Sequence, residues 1–517
     1  MGRSRAWLCG VVGLGAAACS QAADVSSNQA TAALYQQAEA QVAAKAAQTE
    51  PSGAARNVIL FVGDGMGVST MTAARILAGQ RAGTDGEANL LRFEALPHTA
   101  LVKTYNTDQQ TPDSAGTMTA MVTGVKSRAG VLSVAQNAAR GDCAAAKDYP
   151  LTTVVELAER AGMATGVVTT ARLTHATPAA TYAHSAERNW EDNSALPESA
   201  VAAGCSDIAA QFVDFDEGDG IDVAFGGGRR HFLPQDVSVE GSTGRRTDGR
   251  NLVAEWQTKY PGGAYVDDEA AFSALSAATH PVLGLFESSH MRFEADRAND
   301  VAGEPSLSEM TAKAIDILQA KQAGSDKGYL LVVESGRIDH AHHAGNAFNA
   351  LNETVEYADA VGAALDKVNT NDTLVLVTAD HSHVFTIAGY PKRGNPILGK
   401  VVGVGSDEPT PAADNMPYTT LGYTNGQGFA NLGGETNAEA IYAVGGETGR
   451  QSLAGIDTTM AGYHQEALIP LGAETHAGED ISVHGIGPGA DLLSGVIEQN
   501  VLFHIIDRSA ALNAAGY

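Results

Sequence analysis

Three short apolar runs rich in β-branched residues set the reading of this chain: Asn57 to Val62, Tyr329 to Val333 and Leu374 to Thr378. Each has the length and composition of a buried strand, and each ends directly in a polar cluster. The first enters G-D-G-M-G, where Gly63, Gly65 and Gly67 permit a tight turn around Asp64 before S-T-M-T-A-A-R begins a helix. The second enters E-S-G-R-I-D-H-A-H-H with Glu334 at the strand edge, and the third enters A-D-H-S-H with Asp380, His381 and His383. Elsewhere the pattern alternates between the two periods: Leu151 to Ala161 reads as helix, Thr165 to Thr170 and Ile221 to Phe225 as strands, Ser308 to Gln319 as helix. The alternation predicts an α/β fold with a doubly wound, mostly parallel sheet flanked by helices. In such a sheet, residues just past the C-terminal strand ends converge on one crevice, so clusters far apart in sequence meet in space.

Val384 to about Glu466 breaks this rhythm with glycine, proline, threonine and short strand-like pieces, then returns the chain to His476. It reads as an inserted β-rich subdomain, residues 385–466, within a main domain of residues 56–384 and 467–517. Tyr390, Tyr418, Tyr423, Tyr442 and Tyr463 argue that the insertion packs rather than trails as a long loop. Ahead of the main domain, residues 23–55 form an Ala- and Gln-rich arm with Leu34, Ala38 and Val42 at helical spacing, able to pack on its own domain or reach a partner subunit.

The clusters carry the chemistry. Asp339 and His343 are four residues apart, which on one helical turn puts carboxylate and imidazole on the same face, with His340 and His342 beside them. G-D-G-M-G has neither the dinucleotide-binding spacing nor a G-K-S/T ending, so Asp64 reads as a metal ligand rather than part of a nucleotide loop. In T-P-D-S-A-G-T-M-T-A-M, Asp113 is placed to cap a helix whose first turn carries Ser114, where backbone N–H groups favour an anion. Zinc can lower the pKa of a coordinated hydroxyl, so a serine beside such clusters needs no histidine base.

D-S-A-G-T, G-D-G-M-G, E-S-G-R-I-D-H-A-x-H, T-A-D-H-S-H and E-T-H-A-G-E-D together resemble the motifs of the alkaline phosphatases, and the match covers most of the chain after about residue 55. The resemblance implies hydrolysis of phosphate monoesters through a phosphoserine at Ser114. It implies one zinc on Asp339, His343 and His476, and a second on Asp64, Asp380 and His381. Magnesium would be held by Asp64, Thr177 and Glu334, and Arg188 would clamp two phosphate oxygens. Asp113, His175 and His340 would support these ligands. His175 falls where some bacterial members carry Asp and His340 where some carry Lys; in both the chain resembles the animal-type and several marine bacterial members. An imidazole in that shell holds magnesium less firmly than a carboxylate and leaves the third site open to zinc. A fourth, calcium-like site of the animal-type branch is echoed by Phe286, Glu287 and Glu304, with Glu240 as a candidate for the remaining carboxylate. The position of the insertion resembles the family's crown, and the family habit implies a homodimer.

Arg3 and Arg5 precede an apolar run, Ala6 to Ala18, too short to span a bilayer, so residues 1–22 read as an export signal. Cleavage fits after Ala18 or after Ala22. L-G-A-A-A-C also resembles a weak lipobox, in which case Cys19 would be lipidated and tether the chain to a membrane; simple secretion to a periplasmic or extracellular location is the leading expectation. With Cys9 and Cys19 in the leader, Cys143 and Cys205 remain, and export favours their pairing over two free thiols. Such a bridge would contribute about 3 to 4 kcal/mol in the chain-entropy model. The same pair occurs in animal-type members of the family.

Sixty acidic against 33 basic side chains give a formal net charge of -27, which disfavours a nucleic-acid-binding role. A surface this acidic repels itself unless salt screens it, which predicts a saline habitat; an ordinary acidic secreted enzyme is the alternative. Three other functions fit parts of the pattern. A sulfatase would need Cys or Ser followed by x-P-x-R, which D-S-A-G-T lacks. A phosphodiesterase of the same superfamily would commonly use Thr as nucleophile and lack an arginine placed like Arg188. A non-catalytic metal or phosphate binder of the envelope would have no use for Ser114.

Overall fold

The computed structural model describes residues 53–512. The expected export signal, Cys19 and nearly all of the expected arm lie outside the described residues.

Ten strands build the main sheet: β1 (Asn57–Gly63), β2 (His98–Lys103), β3 (Ala164–Arg172), β4 (Val223–Gly227), β5 (Ala264–Val266), β6 (Val282–Leu285), β7 (Tyr329–Ser335), β8 (Thr373–Ala379), β9 (Ile481–Ile486) and β10 (Val496–Glu498). Their spatial order is β10-β2-β9-β8-β1-β7-β3-β4-β6-β5. All pairings are parallel except those of β9, which runs antiparallel to both β8 and β2. Every residue of β7 and β8 is buried, as expected for central strands covered on both faces. Helices α1 (Val68–Arg81), α4 (Leu307–Lys321) and α6 (Ala347–Lys367) pack on this sheet, and the core runs continuously from β1 through β7 and β8 to these helices. The expected doubly wound α/β architecture is therefore observed.

Local chemistry explains where element ends depart from the hydrophobic pattern. The helix expected from Leu151 starts at Val154, as α3 (Val154–Arg160), because Thr153 and Glu156 close a capping box: Glu156 N–H donates to Thr153 Oγ1 and Thr153 N–H to Glu156. Helix α4 runs longer than Ser308 to Gln319, opened by the same device at Ser306 and Glu309. Cys143 and Cys205 are joined in a disulfide, which removes the free-thiol alternative.

The segment 385–466 forms only short pieces. Strands Phe385–Ile387 and Leu421–Gly426 pair antiparallel, and Ala467–Pro470, just past the expected boundary, adds a parallel third strand. Ala430–Asn431 pairs with Tyr463–His464. Of the tyrosines expected to pack, Tyr423 and Tyr463 are buried, whereas Tyr390 is 97% exposed and contributes nothing to a core. Its φ of 59° lies in the left-handed region.

Candidate active site

Three strands deliver the site on one rung. Gly63 of β1 is paired with Ala379 of β8 and with Ser335 of β7, so Asp64, Asp380 and the start of α5 (Arg337–His343) leave the sheet side by side. The turn after β1 is held open by Gly65, which has φ +74°; a Cβ there would sit 2.5 Å from His383 Nε2. Gly65 N–H donates to Asp380 Oδ1 at 2.9 Å, tying the β1 turn to the β8 terminus. His476 arrives beside the β8 terminus because His476–Ala477 pairs antiparallel with Ser382–His383.

Asp339 and His343, four residues apart on α5, meet His476, which only the family resemblance had grouped with them. Asp339 Oδ1 lies 3.3 Å from His343 Nε2 and 3.2 Å from His476 Nε2, and the two Nε2 atoms are 3.1 Å apart. At the other ring nitrogens, His343 Nδ1 lies 2.6 Å from Glu474 O and His476 Nδ1 lies 2.8 Å from Pro112 O. A carbonyl can only accept, so each Nδ1 carries a proton and Nε2 is the nitrogen left facing inward, the one able to offer a lone pair to a metal. Two lone pairs and a carboxylate oxygen facing one another repel unless a cation lies among them, so the donor set fits a metal such as zinc.

Beside this triad, His381 Nε2 is 3.1 Å from Asp380 Oδ2 and 3.5 Å from Asp64 Oδ1. Ser114 Oγ, at the first position of α2 (Ser114–Thr123), is 3.2 Å from the same His381 nitrogen. Both oxygens of Asp64 are buried with no hydrogen-bond partner among the described residues, and so are Glu334 Oε1, Thr177 Oγ1 and His175 Nδ1. Orphaned acceptors this dense are costly in a dry interior, and cations are the economical way to satisfy them. Burial, reinforced by the charges of Asp380, Asp339 and Glu334, pushes the Asp64 carboxyl well above its ordinary range. Burial likewise raises Asp380, and it raises Glu334 to about 7. Asp339 behaves oppositely: burial works against its charge, but the imidazoles around it, His343 first and then His383, hold it well below the carboxylate range.

Asp113 caps α2, accepting from Gly116 N at 3.1 Å, while its second oxygen accepts from Gly130 N at 2.9 Å and from Arg188 Nη1 at 3.2 Å. Arg188 Nη2 lies 3.1 Å from His175 Nε2. The neighbouring Glu187 is taken by Arg140, with two contacts of 2.7 Å, so Arg188 is directed to the site rather than into a surface pair with Glu187. His340 stands 5.5 Å from the His175 ring and 4.0 Å from the ring of His290.

Two further groups were not assigned roles from sequence. His383, noted only as a strand-end residue, bridges Asp339 Oδ1 at 2.8 Å and Glu474 Oε2 at 2.5 Å, and although burial opposes it, the Glu474 charge and these bonds lift its pKa to about 10. His290 had no motif around it; its Nδ1 accepts from Arg172 N at 3.3 Å. The calcium-like group is gathered only in part. Glu304 is buried and pushed up to about 8 by burial and then by Glu287, and its Oε1 accepts from Arg292 N at 2.7 Å. Glu287 accepts from Arg292 Nε at 3.1 Å, and Phe286 is buried at the end of β6. Glu240 already has a cationic partner in Arg229, which weighs against it as the remaining ligand.

The alkaline phosphatase family profile matches residues 55–512. The tissue-nonspecific alkaline phosphatase of Gallus gallus is 44% identical over 468 residues, covering 89% of this chain and 85% of that protein. The alkaline phosphatase of Gadus morhua is 41% identical over 474 residues, covering 90% and 94%. Among solved structures, the Thermus thermophilus alkaline phosphatase superposes with a TM-score of 0.62 at 24% identity, covering 90% of this chain and 93% of that one, a likeness of fold. With a profile match across the described residues and relatives above 40% identity over most of their length, the chain belongs to the alkaline phosphatase family.

Proposed function

We propose that the chain hydrolyses phosphate monoesters to alcohol and inorganic phosphate at alkaline pH, with Ser114 as the nucleophile and a phosphoserine as the intermediate. The observation that carries this reading is the pair of inward-facing Nε2 lone pairs on His343 and His476 beside Asp339, next to a serine at a helix start. Asp339, His343 and His476 would hold one zinc; Asp64, Asp380 and His381 a second; Asp64, Thr177 and Glu334 a magnesium. When bound, such ions supply Lewis-acid charge at the attacking and leaving oxygens of an in-line displacement.

The protein's own groups supply orientation. The α2 terminus presents backbone N–H groups toward an anion at Ser114, and Asp113 fixes that terminus while steering Arg188. Arg188 is charged throughout the working range and would hold two phosphate oxygens through its forked N–H groups. Asp113 restrains one arm of that guanidinium, so its reorganisation on substrate binding is small. Glu474 and the backbone carbonyls of Glu474 and Pro112 keep the imidazoles in the tautomers the site requires. We further read the chain as an exported homodimer with an acid-rich, salt-tolerant surface, tethered to a membrane only if Cys19 is lipidated. A calcium ion would lie near Phe286, Glu287 and Glu304.

The test is hydrolysis of an aryl phosphate at alkaline pH before and after chelation, with zinc and magnesium added back and an aryl phosphodiester as control. Activity on the monoester lost on chelation and restored by zinc supports the reading. A zinc-replete protein that cleaves only the diester is a phosphodiesterase, and one that binds zinc and phosphate but turns over neither is a binder; either result overturns it.

A further inference from the structure

Residues 385–466 grip the helix that carries two of the proposed metal-site residues. Immediately after His343, His464 Nδ1 lies 2.8 Å from Ala344 O, Gln465 N–H donates to Gly345 O at 3.0 Å, and Gln465 Oε1 accepts from Ala347 N at 2.9 Å. Asn346 donates to Ala461 O at 2.8 Å. These contacts close around the end of α5. A further contact acts inside the helix, at His342, which is fully buried. Its Nδ1 lies 2.7 Å from Tyr423 Oη, on the Leu421–Gly426 strand of the insertion, and its Nε2 lies 2.9 Å from Thr70 Oγ1. Thr70 belongs to α1, which starts directly after the turn that carries Asp64. The His342 ring also stacks on His383 with centroids 4.8 Å apart and planes 28° from parallel, and His383 in turn holds Asp339.

An imidazole bonded at both nitrogens has no lone pair left for a metal, so His342 is no ligand despite standing between Asp339 and His343. We propose that His342 is a positioning residue, through which Tyr423 of the insertion and Thr70 of α1 lock α5 in the register that aims Asp339 and His343 at the same point. The hydrogen-bond chain Tyr423–His342–Thr70 crosses from the insertion to the turn holding Asp64, so both proposed zinc sites share one brace. Removing either hydroxyl frees the helix to rock about its capped end, which loosens the Asp339, His343 and His476 donor set without deleting any donor. This rests on the zinc assignment above.

The test compares zinc release from metal-replete wild-type protein and from Tyr423→Phe, Thr70→Val and Thr70→Ser, using a chromogenic chelator, with Tm measured alongside. Thr458→Val is the structural control, since Thr458 Oγ1 donates at 3.0 Å to Leu398 O, both within the insertion. The expected result is release about 10- to 100-fold faster for Tyr423→Phe and Thr70→Val. Release should be near wild type for Thr70→Ser, which keeps the hydroxyl, and for Thr458→Val even where its Tm falls. Turnover at saturating zinc should drop through kcat with KM little changed. Release within twofold of wild type in Tyr423→Phe, or a rate that follows Tm equally in Thr458→Val, overturns the inference alone. A wild-type protein that takes up no zinc overturns both this and the zinc assignment.

Discussion

Ser114 and Glu159 show how differently burial can be used within one sheet. Ser114 sits beside the His381 imidazole, in an environment with a proposed chemical purpose. Glu159, on α3 at the opposite end of β3, has none that the fold reveals: Thr165 Oγ1 donates to one oxygen, while the other is buried with no partner among the described residues. Burial, and then the charges of Asp222 and Asp219, lift its pKa from 4.5 to about 8. A carboxyl raised in the folded state binds a proton there that the unfolded chain has released, so its contribution is intact below pH 4.5 and is lost as pH rises through 8. Glu159→Gln is therefore expected to gain Tm relative to wild type as pH climbs from 5 to 9, followed by thermal melts of both proteins with metals held constant. A difference that does not change with pH contradicts the assignment. Asp64, Asp380 and His381 were read as candidate ligands because they directly follow strand ends, and Asp339 and His343 because of their four-residue spacing; His476 came only from the family resemblance. Glu474 opens the E-T-H-A-G-E-D motif but was given no role, and His290 has no motif around it; their partners are 91 and 118 residues away.

Element boundaries were set by polar capping more than by hydrophobic period. The run from Leu151 reads as helix from its apolar residues, yet the chain stays extended to Thr153, because that side chain can satisfy the N–H of Glu156 only from a non-helical cap position. Thr153 Oγ1 also donates to Thr181 O at 2.7 Å. Thr153→Ala removes both and is expected to cost about 1 to 2 kcal/mol, measured by urea unfolding, with kcat/KM unchanged. A loss below about 0.5 kcal/mol would mean that the helix start is set by packing instead. The strands themselves were plain in the sequence, since continuous β-branched runs bounded by glycine and aspartate leave few other readings. Their common register was not, and it is the register of Gly63, Ser335 and Ala379 that makes three separate motifs a single site.

At the scale of the molecule, charge and insertion are the two features that the sheet does not dictate. A formal charge of -27 spread over one chain raises its own electrostatic cost at low ionic strength, and screening lowers it. Activity and Tm are both expected to rise from low salt to molar sodium chloride; a steady fall would assign the acidity to an ordinary secreted enzyme. Among the described residues no helix is long and apolar enough to cross a membrane. Residues 385–466 were read as an insertion from a break in rhythm; what links them to the site is a buried tyrosine and a few polar contacts rather than a motif. The central claim is that Ser114 takes the phosphoryl group, and the most direct measurement is to quench the zinc-replete enzyme in acid during turnover of a labelled aryl phosphate and map the modified peptide by mass spectrometry. The account predicts phosphate on Ser114 at up to one per chain and none in Ser114→Ala; phosphate on another residue, or full turnover by Ser114→Ala, would contradict it.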